Sequence, residues 1–251
     1  MHVLLVGNDK GGVGKDLVAE GLYIAALQST KPAKLYEIET ASRLARTYPE
    51  ARFIDAGVKS AEEIYRNPDL VFAPLDEAAA AWRSDEFSIV SLGANMTSAF
   101  AAWSDTNGVG YFGEGESLTA LIVLTMNSSA LSSGLTNLYD LGRLYPACRR
   151  VAILNESVAD FIDGDRALAG KLDEARGSAG VIETVKIRRM AAPAWGYIQN
   201  LGALPTVAQM PAQTLIDLGL PEGPSVRSMA IFTRWLTDDL IKPLGGLLPA
   251  Q

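Results

Sequence analysis

The sequence predicts an α/β protein in which a mostly parallel, twisted sheet carries helices on both faces. Short apolar segments alternate with segments whose apolar residues recur at helical spacing. Several of the predicted strands, such as those at 2–7 and 118–125, are apolar along most of their length, which is typical of parallel strands covered on both sides. A glycine-rich stretch joins the first strand to the first helix. No repeat or linker interrupts the 251 residues, so we expect one domain over residues 1–251.

The first part of the chain supplies three predicted strands. The first lies at residues 2–7, because residues 3–6 are all aliphatic. Apolar residues then recur at helical spacing over residues 15–29, and residues 34–39 return to a strand pattern. The other predicted elements of this part are helices at 60–66, 76–83 and 97–105, a third strand at 87–92, and a glycine-rich loop at 107–115.

The second part of the chain continues the alternation. Its predicted strands are 118–125, 150–155 and 181–187, and its predicted helices are 128–144, 160–176, a stretch near 190–201, and 225–241. Four prolines break the pattern between the last two helices. The last helix is amphipathic, but Asp238 and Asp239 interrupt the basic face that a membrane-surface helix needs. We therefore expect this helix to pack on the sheet.

The net charge bears on the choice of partner. The formal net charge is −7, which argues against a strongly basic face for nucleic acid. We interpret the adjacent pairs Arg149-Arg150 and Arg188-Arg189 as solvated surface charge, since DNA binding would need a wider positive surface. DNA is thus a partner that the net charge does not support.

Rare residue types exclude several kinds of site. The one histidine, His2, lies at the terminus, which argues against His-based catalysis and His-rich metal sites. The one cysteine, Cys148, excludes an internal disulfide and suits a reducing cytoplasm. The apolar runs are too short for a transmembrane helix, and Met1-His2 leads straight into a strand, which leaves no room for a signal peptide. We therefore expect a cytoplasmic protein without membrane insertion.

The loop after the first strand predicts a phosphate-binding site. Its residues are Lys10, Gly11, Gly12, Val13, Gly14, Lys15 and Asp16. Strand, glycine-rich turn and helix in this order form a cradle whose backbone N–H groups approach phosphate oxygens closely. A serine or threonine hydroxyl normally follows the lysine and binds Mg²⁺, whereas here a carboxylate stands in that position.

Polar residues also follow other predicted strands. Glu39 follows the second strand, Ser91 and the residues up to Asn95 follow the third, and Asn155 ends the strand at 150–155. Ligands of parallel α/β sheets bind beyond the carboxyl ends of the strands. We therefore expect these residues to share one site with the glycine-rich loop.

The loop from Lys10 to Lys15 resembles the deviant Walker A loop of the ParA/MinD family of P-loop ATPases. The predicted order of strands and helices agrees with this family over nearly the whole chain. The resemblance implies a homodimer with ATP or ADP between its protomers, in which Lys10 reaches across to the nucleotide of the other protomer. It also implies Mg²⁺, a protein partner, and a role in plasmid partition, conjugal transfer or cargo positioning.

The resemblance assigns further roles residue by residue. Two family aspartates at the end of the second strand correspond to Glu37 and Glu39 here, and the second of them helps to position the attacking water. Asn155 corresponds to an asparagine that contacts adenine. The resemblance thus implies catalytic roles for Lys10, Lys15 and Glu39, with phosphoryl transfer to water as the reaction.

Both Mg²⁺ positions depart from the family pattern. The family has a hydroxyl where this chain has Asp16, and an aspartate at the end of the third strand where it has Ser91. A carboxylate about 5 Å from a phosphate charge costs roughly 3 kcal/mol at an effective dielectric of about 20. One interpretation is an exchange, in which Asp16 holds Mg²⁺ beside Ser91. Another is a decayed metal site, in which Asp16 only favours the helix N-terminus. A third is that Asp16 is an engineered substitution.

The sequence leaves three hypotheses for function. The first is a nucleotide-responsive dimer whose hydrolysis is slow or absent because of Asp16 and Ser91. The second is a non-catalytic interaction module that keeps the P-loop fold. The third is a metabolic P-loop enzyme, for which the chain offers little room for a substrate-binding extension.

Overall fold

The structure is a computed structural model that describes residues 1–29, 33–57, 67–107, 112, 116–162, 164–177 and 180–249. Within these residues, seven strands form one sheet with the order β3-β2-β4-β1-β5-β6-β7, and every neighbouring pair is parallel. The strands are β1 (His2–Gly7), β2 (Lys34–Glu39), β3 (Arg52–Asp55), β4 (Phe87–Leu92), β5 (Ser117–Leu124), β6 (Arg149–Asn155) and β7 (Ile182–Ile187). The prediction of an α/β fold with a parallel sheet is confirmed.

Helices cover both faces of this sheet. The described α-helices are α1 (Lys15–Gln28), α2 (Leu44–Thr47), α3 (Ala73–Trp82), α4 (Met96–Asn107), α5 (Ser128–Leu144), α6 (Arg166–Arg176), α7 (Trp195–Ile198), α8 (Leu204–Ala208), α9 (Gln213–Asp217), α10 (Glu222–Trp235) and α11 (Lys242–Gly245). A 3-10 turn at Pro68–Val71 precedes α3, and a π-helical turn at Leu236–Ile241 joins α10 to α11.

The core lies in two layers, one on each side of the sheet. Leu4 and Val6 of β1 face the layer formed with α1, α10 and the π-helical turn, whereas Val3 and Leu5 face the layer formed with α3, α4 and α5. Alternate residues of a strand point to opposite faces, so a strand buried on both sides is apolar at most positions. This is why residues 2–7 could be predicted as a strand without an alternating pattern.

The C-terminal helix packs against the sheet, as predicted. Phe232 of α10 is fully buried, and Trp235 is nearly so. The Trp235 Nε1–H group donates to the carbonyl oxygen of Arg188 at 2.7 Å, which ties α10 to the segment after β7. Within the part of the chain that the structure describes, no helix is both long and apolar enough to cross a lipid bilayer.

Several predicted boundaries differ from the structure. The helix predicted at 160–176 begins only at Arg166, because the Asp165 carboxylate accepts the N–H groups of the first turn and caps the helix there. The helical stretch predicted near 190–201 is a single turn, Trp195–Ile198. Strand β3 and the short helices α2, α8 and α9 were not predicted. The predicted helix at 60–66 and most of the predicted loop at 107–115 lie outside the described residues.

The prediction that Arg150 is a solvated charge was wrong. Its side chain is fully buried and donates from Nη1 to the carbonyl oxygens of Leu138 and Ala175, at 3.0 and 3.3 Å. The guanidinium also lies directly against the backbone of Gly142 in α5. Arg150 therefore connects β6 to α5 and α6 through carbonyl groups, of which that of Ala175 lies in the last turn of α6, where carbonyls carry partial negative charge.

Candidate functional site

The glycine-rich loop runs from the end of β1 to the start of α1, as predicted. Gly12 and Gly14 have φ angles of 75° and 94°, a left-handed conformation that side chains disfavour. The loop lines a cavity of about 920 Å³ together with α1, α2 and the segment around α7. The cavity lies beyond the carboxyl ends of the central strands, where ligands of parallel α/β sheets bind.

The Lys15 side chain lies inside the curve of the loop. It is 6% exposed, and its Nζ donates to the carbonyl oxygens of Asn8 and Lys10 at 2.8 and 3.0 Å. Burial lowers the pKa of Lys15, whereas the nearby carboxylates of Glu39 and Asp16 oppose this shift. The loop thus holds a partly desolvated ammonium group at the place where the sequence predicts phosphate. Lys10, by contrast, is an exposed residue at the start of the loop.

Asn8 and Asp9, which the sequence analysis did not single out, hold the start of the loop in place. Asn8 is fully buried, and its Nδ2 donates to the carbonyl oxygens of Val123 and Ala130 at 2.8 and 2.9 Å. The Asp9 carboxylate accepts the backbone N–H of Ser98 in the first turn of α4 at 2.9 Å. A buried amide and a capping carboxylate make the loop rigid from its first residues. Two polar residues directly after an apolar strand were the available sequence signal.

Asn155 braces the loop from the side. It is 3% exposed, its Nδ2 donates to the carbonyl oxygen of Val13 at 2.8 Å, and its Oδ1 accepts from the N–H of Ser157 at 3.2 Å. A Cβ at Gly14 would lie 2.5 Å from Asn155 Nδ2, so Gly14 is required by this contact as well as by its φ angle. The Asn155 carboxamide lines the cavity but already has backbone partners. Its contact with adenine stays a prediction.

The two glutamates of β2 have different environments. Glu37 is 1% exposed, and its carboxylate accepts backbone N–H groups of Arg43, Leu44 and Ala45 at 2.7 to 3.1 Å. It therefore caps α2. Glu39 lines the cavity, with its carboxylate against Gly93, where a Cβ would lie 2.6 Å from the carboxyl carbon. Only Glu39 thus faces the cavity, and its role in positioning water stays a prediction.

The structure brings Asp16 and Ser91 together, as the exchange hypothesis requires. Ser91 Oγ donates to Asp16 Oδ1 at 3.1 Å, and Ser91 is nearly fully buried. The other carboxylate oxygen, Oδ2, lies 3.2 Å from Nη1 of Arg43, which the sequence analysis did not single out. Arg43 lies in the irregular segment between β2 and α2, where no periodic pattern indicates which cavity a side chain reaches.

Burial and the two partners of Asp16 act on its carboxyl group in opposite directions. Burial raises the pKa of Asp16, and the charge of Arg43 and the hydrogen bond from Ser91 oppose this only in part. The folded state therefore retains this proton more readily than the unfolded chain. As the pH rises above the unfolded pKa of about 3.9, ionisation of Asp16 begins to lower the free energy of unfolding. The full loss is reached above the folded pKa of Asp16.

We expect Asp16→Asn to be more stable than the wild type at pH 7, because the amide carries no desolvated charge. The difference in the free energy of unfolding should vanish as the pH falls below about 3.9, where both proteins are neutral at this position. Urea denaturation of both proteins across the acidic range measures this difference. A less stable variant at pH 7 would show that the ion pair with Arg43 outweighs the desolvation of Asp16.

A nucleotide fits this arrangement better than a divalent cation does. Small-molecule sites commonly have volumes of about 300–1,000 Å³, and the cavity meets this range with a lysine and open glycine backbone at one end. The groups at the two predicted Mg²⁺ positions do not fit the ion as they are arranged. The Ser91 hydroxyl donates a hydrogen bond to Asp16, and a guanidinium already lies beside the remaining carboxylate oxygen. Within the described residues, no cluster of three or more carboxylate, histidine or cysteine side chains could hold a metal ion.

The cavity walls carry charges of both signs. Besides Lys15 and Asp16, the lining includes Arg46 and Glu20. Glu20 lies one helical turn after Asp16, and its Oε1 accepts from the Tyr48 hydroxyl at 2.7 Å and the Leu204 N–H at 3.0 Å. Burial raises the pKa of Glu20. One carboxylate of α1 therefore connects the segment after α2 to the start of α8, on two sides of the cavity.

Comparison with known proteins finds similarity only among solved structures. No protein-family model matches the sequence, and no curated protein is significantly similar to it. A plasmid partition protein from Borrelia burgdorferi is 11% identical, with a TM-score of 0.45, over 93% of this chain and 99% of that chain. MinD of a MinC:MinD cell division complex from Aquifex aeolicus is 14% identical, with a TM-score of 0.45, over 100% of this chain and 98% of that chain.

A further structure of the cell division protein MinD from Aquifex aeolicus is 14% identical, with a TM-score of 0.43, over 94% of this chain and 97% of that chain. These proteins are of the ParA and MinD types that the loop sequence resembles. Identities and TM-scores this low carry no argument about what the present chain binds or does.

Proposed function

We propose that this chain is a nucleotide-binding switch of the ParA/MinD type, which binds ATP or ADP at the loop from Lys10 to Asp16. One observation carries the proposal. The Lys15 ammonium is buried within a rigid, glycine-rich loop that opens onto a cavity of nucleotide size. A lysine at a strand–helix turn, held by backbone carbonyls and flanked by positive-φ glycines, has few structural uses and suits phosphate well.

Each loop residue has a role in this proposal. Backbone N–H groups from Gly11 to Lys15 and the Lys15 ammonium bind the phosphates. Lys10, an exposed residue of the loop, contacts the nucleotide of a second protomer, so ATP promotes a homodimer. Asn155 contacts adenine after giving up its bond to Val13. Glu39, the β2 carboxylate that faces the cavity, orients the attacking water.

Hydrolysis is slow or absent in this proposal. Phosphoryl transfer depends on neutralising the charge that develops on the transferred group, and the residues at the Mg²⁺ positions do not fit the ion as they are arranged. The bound nucleotide therefore acts mainly as a signal. It controls whether the protein is a dimer, and it controls the affinity of that dimer for a protein partner. The role in plasmid partition, conjugal transfer or cargo positioning in the cytoplasm rests on the loop resemblance alone.

The alternative function is a non-catalytic interaction module. One observation favours it: Lys15, Asn155 and Asp16 all have partners within the protein, so the cavity is stable without a ligand. In this case the P-loop fold serves docking of a partner, and the loop binds no nucleotide.

Thermal unfolding with ADP and ATP, each with Mg²⁺ and with a chelator, distinguishes the two functions. A bound nucleotide should raise the midpoint as its concentration rises, with a stabilisation of about 2.7 kcal/mol at one hundred times the dissociation constant. Light scattering with ATP should show a dimer, and phosphate release should be close to background. If millimolar nucleotide leaves the midpoint unchanged in every condition, the interaction module is the correct function.

A further inference from the structure

Arg43 occupies the position beside Asp16 where a metal ion would be expected. Its Nη1 lies 3.2 Å from Asp16 Oδ2, and Asp16 is itself the first acidic residue of the loop helix. The Arg43 side chain is 75% exposed, whereas that of Asp16 is 26% exposed. The guanidinium thus lies at the cavity mouth with one edge on Asp16.

The backbone of Arg43 is fixed although its side chain is exposed. Its N–H donates to the buried Glu37 carboxylate at 2.7 Å, and the next two N–H groups donate to the same carboxylate. The turn that carries Arg43 is therefore anchored to the end of β2. This anchoring fixes the backbone from which the guanidinium reaches Asp16.

A guanidinium has donors to spare in this position. It carries five N–H donors in a planar fork, and the contact with Asp16 uses one edge of it. The same fork matches the geometry of phosphate oxygens. Arg43 can therefore neutralise Asp16 and still offer hydrogen bonds to a neighbouring phosphate.

We propose that Arg43 takes the place of Mg²⁺ in this site, so that the chain binds nucleoside phosphates without a divalent cation. The proposal rests on the proposed function, since it concerns the same cavity. It assigns the positive charge at this position to a side chain of the turn that leads into α2 rather than to an ion. Asp16 then orients the guanidinium, and Ser91 orients Asp16 by the hydrogen bond from its hydroxyl.

Isothermal titration of ATP in EDTA and in Mg²⁺ tests the proposal, with Arg46→Gln as a matched control for Arg43→Gln. Arg46 is an arginine that lines the same cavity three residues later. Wild type should bind ATP in EDTA at least as tightly as in Mg²⁺. Arg43→Gln should weaken binding in EDTA by about tenfold, because charge-assisted bonds to phosphate are strong and Asp16 loses its counter-charge. Arg46→Gln should change it by less than about threefold.

The outcomes separate this proposal from the proposed function. Tightening of wild-type binding by about tenfold or more in Mg²⁺ would overturn the arginine proposal and support the exchange hypothesis, in which Asp16 holds the ion. Equal affinities of Arg43→Gln and wild type in EDTA would also overturn it, while leaving nucleotide binding intact. Absence of binding in both buffers would overturn the proposed function and this proposal together. Circular dichroism confirms that each variant is folded.

Discussion

Replacing Lys15 with alanine is expected to weaken ATP binding by about a hundredfold, because the phosphates lose charge-assisted hydrogen bonding worth roughly 3 kcal/mol. The magnitude follows from burial. A surface lysine would lose little, but Lys15 is 6% exposed and its ammonium is already partly desolvated before the ligand arrives. Isothermal titration in EDTA measures the loss, and the same titration in Mg²⁺ shows whether the ion compensates for it.

The matched control for this experiment is Lys34→Ala. Lys34 lies at the first position of β2. This is the amino-terminal end of the parallel strands, whereas the loop lies beyond their carboxyl ends. Its replacement removes the same net charge from the protein without touching the cavity. Loss of Lys15 also frees the carbonyl oxygens of Asn8 and Lys10, so the unliganded thermal midpoint must be compared too. Similar ATP affinities for the two alanine variants would contradict a phosphate role for Lys15.

Gly142→Ala is expected to destabilise the protein by about 3 kcal/mol, since it forces a methyl group into a closely packed core. A Cβ at this position would lie 2.1 Å from Nη1 and 2.5 Å from Cζ of Arg150. The guanidinium cannot move away without losing hydrogen bonds, because it donates to the carbonyl oxygens of Leu138, Ala175 and Arg176. Urea denaturation, followed by circular dichroism, measures the free energy of unfolding.

Gly170→Ala provides the comparison for Gly142→Ala. Gly170 lies in the middle of α6 and is exposed, and among the described residues no heavy atom outside its own stretch of helix lies within 4 Å of the place that an alanine methyl group would take. Alanine there should stabilise the helix by roughly 0.5–1 kcal/mol, because it restricts the unfolded backbone and suits the helix. The two identical substitutions should therefore shift the denaturation midpoint in opposite directions. A shift in the same direction would show that α5 can move to relieve the contact.

The parts of the fold that could be predicted are those with a one-dimensional pattern. Strands β2 and β4 have the predicted boundaries, and both are buried on both faces over most or all of their length. Strand β3 was missed because it has only four residues, two of them charged and exposed, at the edge of the sheet. Its stability depends on backbone hydrogen bonds to β2, which a local sequence pattern cannot predict.

The candidate site shows the same division. Asp16 and Ser91 could be placed together, because parallel strands end at one edge of the sheet and the loop begins at the same edge. Arg43 could not be placed, since its position depends on the buried carboxylate of Glu37, which fixes an irregular turn. The exposed fraction of an arginine is likewise set by three-dimensional packing, which explains why Arg150 was expected in solvent.

The position of β1 in the sheet has a consequence for biosynthesis. The strand that leads into the glycine-rich loop is made before its two neighbours, β4 and β5, which are completed only with residues 87–92 and 117–124. The cavity gains its wall near Leu204 later still. Pairing between segments distant in sequence must meet its loop-closure entropy before it gains stability, which slows folding. We therefore expect the nascent chain to complete the cavity late, after a long period in which a hydrophobic strand is without partners.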